Sequence, residues 1–109
     1  MLGVLTPEEK KNSCRFGPSG NSESFYAIGY KHSFEAFAWL NGLGLSAYEY
    51  SFSHGVNMKP ETAETIGREA SKYNIAVSCH APYYINLATE ETEKKQKNID
   101  YLVDSARLL

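Results

Sequence analysis

His80 closes a short run of strand-like residues, Ile75-Ala76-Val77-Ser78-Cys79, and is followed at once by Ala81-Pro82. Pro82 has no N–H and biases Ala81 towards extended backbone, so a strand ladder cannot run on through it and the imidazole falls where strand becomes loop. In parallel α/β folds, ligands bind at that end of the strands. A neutral imidazole there can ligate a divalent metal, and the competing reading is an ordinary hydrogen-bonded histidine.

Glu49 is the other residue whose type and position could share this chemistry. Glu49 stands between Tyr48 and Tyr50 in a run from Leu45 to Phe52 with aromatic and small residues at strand spacing. A carboxylate at the end of a buried strand needs a cation or hydrogen-bond donors, which makes Glu49 a candidate site residue; the alternative is an acid at a solvated strand end. His54 opens the next loop beside Gly55, and Tyr83 and Tyr84 follow His80. Two amphipathic rings at that position either pack under the loop or face a ligand. Cys79 alternates to the face opposite His80 and is expected in the core; Cys14 and Cys79 show no metal-type spacing and are read as reduced thiols.

The elements that must position these residues follow from the periodicity. A brief strand is expected at Cys14 to Phe16, and Gly17-Pro18-Ser19-Gly20-Asn21 then reads as a turn-rich loop. Such a loop could approach a phosphate, but it lacks the Gly-x-Gly-x-x-Gly spacing and a Walker lysine, so an ordinary strand-to-helix connection is favoured. Ser33 is the expected N-cap of a short amphipathic helix with Phe34, Phe37, Ala38 and Asn41 on one face, closed by Gly42 or Gly44. Pro60 starts a clear amphipathic helix whose apolar side is Ala63, Ile66, Gly67, Ala70 and Tyr73, and Asn74 ends it. Thr89 is the expected cap of a third helix with Glu90, Glu91 and Glu93 in its first turn. Its expected buried stripe is Ile99, Leu102, Val103, Ala106 and Leu109, and its Lys94, Lys95 and Lys97 read as a solvated face rather than a basic patch.

Strands near residues 14, 46 and 75, at intervals of about 30 residues and each with a helix after it, have the period of βα units in a parallel sheet. The fold class is α/β, expected as the first three βα units of a (β/α)8 TIM barrel that this chain leaves incomplete, since eight units take about 250 residues. Residues 14–109 are assigned to that partial barrel. Residues 1–13, where Thr6 and Pro7 can start a short helical turn, are assigned to an N-terminal extension. An unfinished helix and open strand edges make the chain read as the N-terminal part of something larger, or as a piece completed by a partner.

The 109 residues carry a formal charge of -2 and are 42% hydrophobic, a composition of soluble globular proteins that argues against disorder. No run approaches a membrane span and the N-terminus has no secretory pattern, so a cytoplasmic location is expected. The mild acidity gives no overall electrostatic footprint for nucleic acid.

At His80-Ala81-Pro82-Tyr83-Tyr84-Ile85-Asn86-Leu87 the sequence resembles the strand-three mouth of the endonuclease IV family, the family-2 AP endonucleases within the xylose isomerase-like barrels. The resemblance extends loosely over Cys14 to Leu109. It implies that His80 is one ligand of a trinuclear zinc cluster, and that Tyr83 and Tyr84 enter the minor groove of duplex DNA beside an abasic site. The implied reaction is hydrolysis of the phosphodiester 5′ to that site, in base-excision repair, with zinc activating water. Two departures stand out. The family carries a basic residue after strand two, where this chain reads Ser53-His54-Gly55-Val56-Asn57, leaving His54 as a weak substitute; and the first strand leads into Phe16-Gly17-Pro18-Ser19-Gly20 instead of a His-Val-Ser-type segment. The remaining metal ligands and the catalytic residues would lie beyond Leu109, so the 109 residues alone are expected to be inactive.

Two other functions compete. A sugar-phosphate isomerase or epimerase of the same barrel class would turn Glu49 and His80 towards a polyol and one divalent metal. A truncated, non-enzymatic interaction module would instead self-associate through its open sheet edges.

Overall fold

The computed structural model describes Thr6, Glu8, Glu9 and residues 13–109. In chain order the elements are α1 (Glu23–Ala27), a 3-10 turn (Ser33–Glu35), α2 (Ala36–Gly42), β1 (Ala47–Ser51), α3 (Pro60–Lys72), β2 (Ala76–His80) and α4 (Thr92–Leu108). The two strands are parallel and in register, Ala47 opposite Ala76 and Ser51 opposite His80. Parallel strands need a crossover, and α3 supplies it. The result is α/β architecture consistent with part of a TIM barrel.

The first strand position is filled, but not by the residues expected. Cys14 to Phe16 form no strand; instead the segment 16–20 runs parallel to β1, bridging at Ser19 and Glu49. The amides of Ser46 and Ala47 donate to the Phe16 carbonyl at 2.9 and 3.0 Å, Glu49 donates to Pro18 at 3.0 Å, and Gly20 donates to Glu49 at 2.9 Å. The turn-forming composition of residues 17–21 suggested a loop; Pro18 cannot donate, but here only its carbonyl is used, accepting from Glu49. Gly17 lies so close to β1 that a Cβ would collide with the Ala47 carbonyl, which explains a glycine in this segment. The segment meets β1 through the Gly20 amide and the Phe16 and Pro18 carbonyls, as an edge strand does.

Helix ends show why the chain folds into units of this length. Gly44 has φ 77° and Asn74 φ 52°, both left-handed. The next residue after each closes a Schellman bond, Leu45 to the Leu40 carbonyl and Ile75 to Ala70, both 2.9 Å, and a strand follows within two residues. Of the two glycines that could end α2, Gly44 does so. In the 3-10 turn that leads into that helix His32, not Ser33, is the N-cap, and Glu35 Oε2 accepts from the amides of Lys31 and His32 at 2.9 and 2.7 Å. The Ser33 hydroxyl accepts from Asn21 Nδ2 at 3.1 Å instead. Thr6 and Glu9 close a reciprocal capping box, in keeping with a helical turn there, while Pro7 lies outside the described residues. The short helix α1, capped by Ser22, was not anticipated.

The core lies between one face of the sheet and the helices: Phe25, Ala36, Phe37, Leu40, Tyr48, Ile66, Ala70 and Ile75. Phe25 and Phe37 have no exposed surface, and burying such a side chain is worth about 1.5–3 kcal/mol. Because strand side chains alternate, Tyr48, Tyr50, Val77 and Cys79 turn towards the helices, and Ala47, Glu49, Ser51, Ala76, Ser78 and His80 occupy the other face. At the base of the sheet Arg15 Nη1 donates to the carbonyls of Asn74 (2.8 Å) and Ser46 (3.3 Å), pinning the residues before both strands.

The α4 stripe is a correction. Ile99, Leu102 and Val103 are 39%, 37% and 41% exposed, Ala106 and Leu109 are exposed too, and Ser105 is the buried residue. The inward face is Asn98, Tyr101, Ser105 and Leu108, one residue or about 100° round from the apolar stripe. Cys79 Sγ sits 3.9 Å from the Ser105 carbonyl, so α4 meets β2 through the turn that carries Ser105. Thr89 does not cap α4 either: Glu91 is the N-cap, and of the three expected glutamates only Glu93 is in the first turn. No helix among the described residues is long and apolar enough to cross a membrane.

Candidate functional site

The C-terminal ends of β1 and β2 and the loops after them carry His80, His54, Tyr83 and Tyr84 at one end of the sheet, whereas Glu49, expected at a strand end, is the middle residue of β1. His80 is the last residue of β2, exposed, on the face away from the helices. Its carbonyl accepts from the Phe52 amide at 2.8 Å, which extends the ladder one residue past β1 and fixes the backbone that carries the imidazole. Glu49 is on the same face, opposite Ser78 and one inward-facing step below Ser51 and His80. Its Oε1 accepts from the Ser19 hydroxyl at 2.6 Å, a short charge-assisted bond that answers the need for a donor.

His54, Tyr83 and Tyr84 come from two adjoining loops. Tyr83 stands edge-on to His54, ring centres 6.4 Å apart at 83°, and edge-on to Tyr84 at 5.5 Å and 76°. Tyr84 continues the row to Tyr101 on α4, at 5.3 Å and 81°. Tyr83 is 71% exposed. Desolvation and the neighbouring Tyr101 and Tyr83 phenols hold the Tyr84 phenol above the usual tyrosine range. Below the mouth, burial and then the Glu49 charge push the Cys79 thiol up; the residue is half-buried on the helix side of the sheet, not part of the core cluster expected to hold it.

Two participants escaped the sequence reading. Ser19 lies in the Gly-Pro-Ser-Gly stretch, and only its pairing opposite Glu49 shows that its hydroxyl faces the carboxylate. Tyr101 was hidden by the stronger apolar stripe beside it; the signal was an aromatic three residues after Asn98, whose amide also donates to the Asn86 carbonyl at 2.7 Å.

These residues do not make a metal centre by themselves. Among the described residues no group of three or more His, Cys, Asp or Glu is placed to hold a metal ion. His80 offers one imidazole, and one Glu49 oxygen is already engaged by Ser19. The donor chemistry suits one corner of a metal site, not a whole one.

Residues 37–109, which include both strands, α3, α4 and all five candidates, match the xylose isomerase-like TIM barrel family. The chain belongs to that family. An uncharacterized protein of Methanocaldococcus jannaschii is 35% identical over 82 residues, which is 75% of this chain and 29% of that protein. The chain thus spans well under half the length of its relative. No solved structure matches it. In a xylose isomerase-like barrel the face bearing Glu49, Ser78 and His80 is the one turned to the interior, and the loops bearing His54, Tyr83 and Tyr84 lie at the end where such barrels work.

Proposed function

We propose that this chain is the first part of an endonuclease IV-like metal-dependent phosphodiesterase that cleaves DNA 5′ to abasic sites. The observation that carries the reading is the placing of His80 at the end of β2, on the face away from the helices, with the exposed ring of Tyr83 three residues on in the following loop and edge-on to His54. A bound divalent metal such as zinc would activate water and offset charge on the phosphodiester. His80 contributes one neutral imidazole from a rigid strand end, Tyr83 a ring to fill the gap left by a missing base, and His54 a donor near the backbone. The residues that complete the metal site belong to later barrel strands, so the 109 residues alone are expected not to cleave. Abasic duplex DNA is the proposed substrate. The deciding experiment measures bound metal and incision of an abasic duplex for the intact protein and its His80→Gln variant; metal-dependent incision lost in the variant supports the reading, and no incision by the intact protein refutes it.

A sugar-phosphate isomerase or epimerase is kept as a second reading because Glu49 shares the inner face with His80. There a carboxylate would move a proton on a polyol and an imidazole would help hold it. Under that reading Glu49→Gln abolishes turnover of a sugar phosphate, whereas under the first it leaves incision of abasic DNA largely intact.

A further inference from the structure

The row of rings at the mouth has unequal members. Tyr84 is flanked by Tyr83 on one side and Tyr101 on the other, and its hydroxyl reaches the neighbouring loop, where a Cβ added at Gly55 would lie 3.6 Å from it. Tyr83 has a ring neighbour on either side too, but it is 71% exposed against 43% for Tyr84. Tyr101 is seated from behind by the Lys97 ammonium, 6.0 Å from its ring centre. A second tie, Asn98 Nδ2 to the Asn86 carbonyl at 2.7 Å, fastens the same loop to the same helix. Edge-to-face rings resist sliding because the positive edge of one meets the negative face of the next.

We propose that Tyr101 is a positioning residue which, through Tyr84, holds the loop 81–91 so that Tyr83 and His54 present one cleft to the base-free gap of an abasic strand. Tyr84 is then a strut between α4 and the loop after β1, and only Tyr83 enters the DNA. This rests on the proposed function for its ligand, but the geometry of the strut does not.

The test uses the intact protein with Tyr101→Leu, Tyr101→Phe and Tyr83→Leu, a duplex carrying a tetrahydrofuran abasic analogue opposite 2-aminopurine, and the matching intact duplex. Tyr101→Leu is expected to bind the abasic duplex about tenfold more weakly, the scale of one lost aromatic contact, with intact-duplex binding unchanged. Tyr83→Leu should match it, and Tyr101→Phe should restore both affinity and the 2-aminopurine signal. Tyr101→Leu binding like the wild type while Tyr83→Leu is weakened overturns the role given to Tyr101, as does an equal loss on both duplexes. Amide exchange over residues 83–88 decides the strut independently: faster exchange in Tyr101→Leu than in Tyr101→Phe supports it, and equal exchange overturns it. If the wild type fails to prefer the abasic duplex, the proposed function and the cleft fall together, and the exchange result still stands or falls for the strut.

Discussion

The Phe52 amide donates to the His80 carbonyl at 2.8 Å, so the residue that follows β1 holds the residue that ends β2. This single bond makes the imidazole part of the sheet rather than of the loop. Side chains carried on a strand are placed more accurately than those on loops, and a metal ligand needs that accuracy.

His80→Gln tests it directly. The side chain is exposed, so the stability change is expected to stay within about 0.5 kcal/mol. Under the proposed function, incision of abasic DNA by the intact protein should fall by about 10–100-fold or more, with metal content reduced. A variant that keeps both would remove His80 from the site.

Gly17 sets the spacing of the first and second strand positions. Gly17→Ala would push a methyl into the Ala47 carbonyl, backbone that cannot step aside cheaply, and is expected to cost about 1–3 kcal/mol or more in urea unfolding. Gly20→Ala is the contrast: nothing lies within 4 Å of its Cβ, and only its φ of 76° is strained, for about 1–2 kcal/mol. Restoring space by shifting the edge segment would also part Ser19 from Glu49. A Gly17→Ala protein as stable as the wild type would mean that segment 16–20 does not pair as described.

The sequence made some of this legible and hid the rest for physical reasons. Pro60, Asn74 and the 3.6-residue spacing of Ile66 and Ala70 announced α3, since helix ends and apolar faces are local signals. Pro82 announced where β2 must stop. The segment 16–20 was hidden because its composition is that of a turn, and only a neighbouring strand shows it to be extended. The α4 stripe misled because hydrophobicity says which residues favour burial, not whether a neighbour is there to bury them; the face against β2 was fixed by the fit of Ser105 to Cys79. Likewise Glu49 showed itself as a carboxylate needing a donor, while Ser19, distant in sequence, could not be named as that donor.

Tyr48 gives the fold an alkaline limit. Its hydroxyl donates to Asn21 Oδ1 at 3.0 Å, and burial, aided by the phenols of Tyr50 and Tyr26 and partly opposed by Ser33, raises its pKa. The folded state therefore holds the phenolic proton more tightly than the unfolded chain does. That contribution is complete below the unfolded value near 10 and is lost as pH rises through the higher folded value. Tyr48→Phe should cost about 0.5–1.5 kcal/mol at neutral pH and show a shallower loss of stability above pH ~10. Urea midpoints with the same pH slope in both proteins would show that Tyr48 does not titrate as described.

The two cysteines should react at very different rates. Cys14 is exposed, whereas Cys79 is half-buried against the Ser105 carbonyl and its thiol is pushed up by burial and by the Glu49 charge. The thiolate is the reactive form, so iodoacetamide at mildly alkaline pH should label Cys14 quickly and Cys79 slowly. Glu49→Gln removes one of the two causes, and labelling of Cys79 should speed up while that of Cys14 does not change. Because Glu49 lies on the opposite face of the sheet from Cys79, this acceleration would report a charge felt through the strands, and its absence would place the carboxylate farther from β2 than the pairing of Glu49 with Ser78 requires.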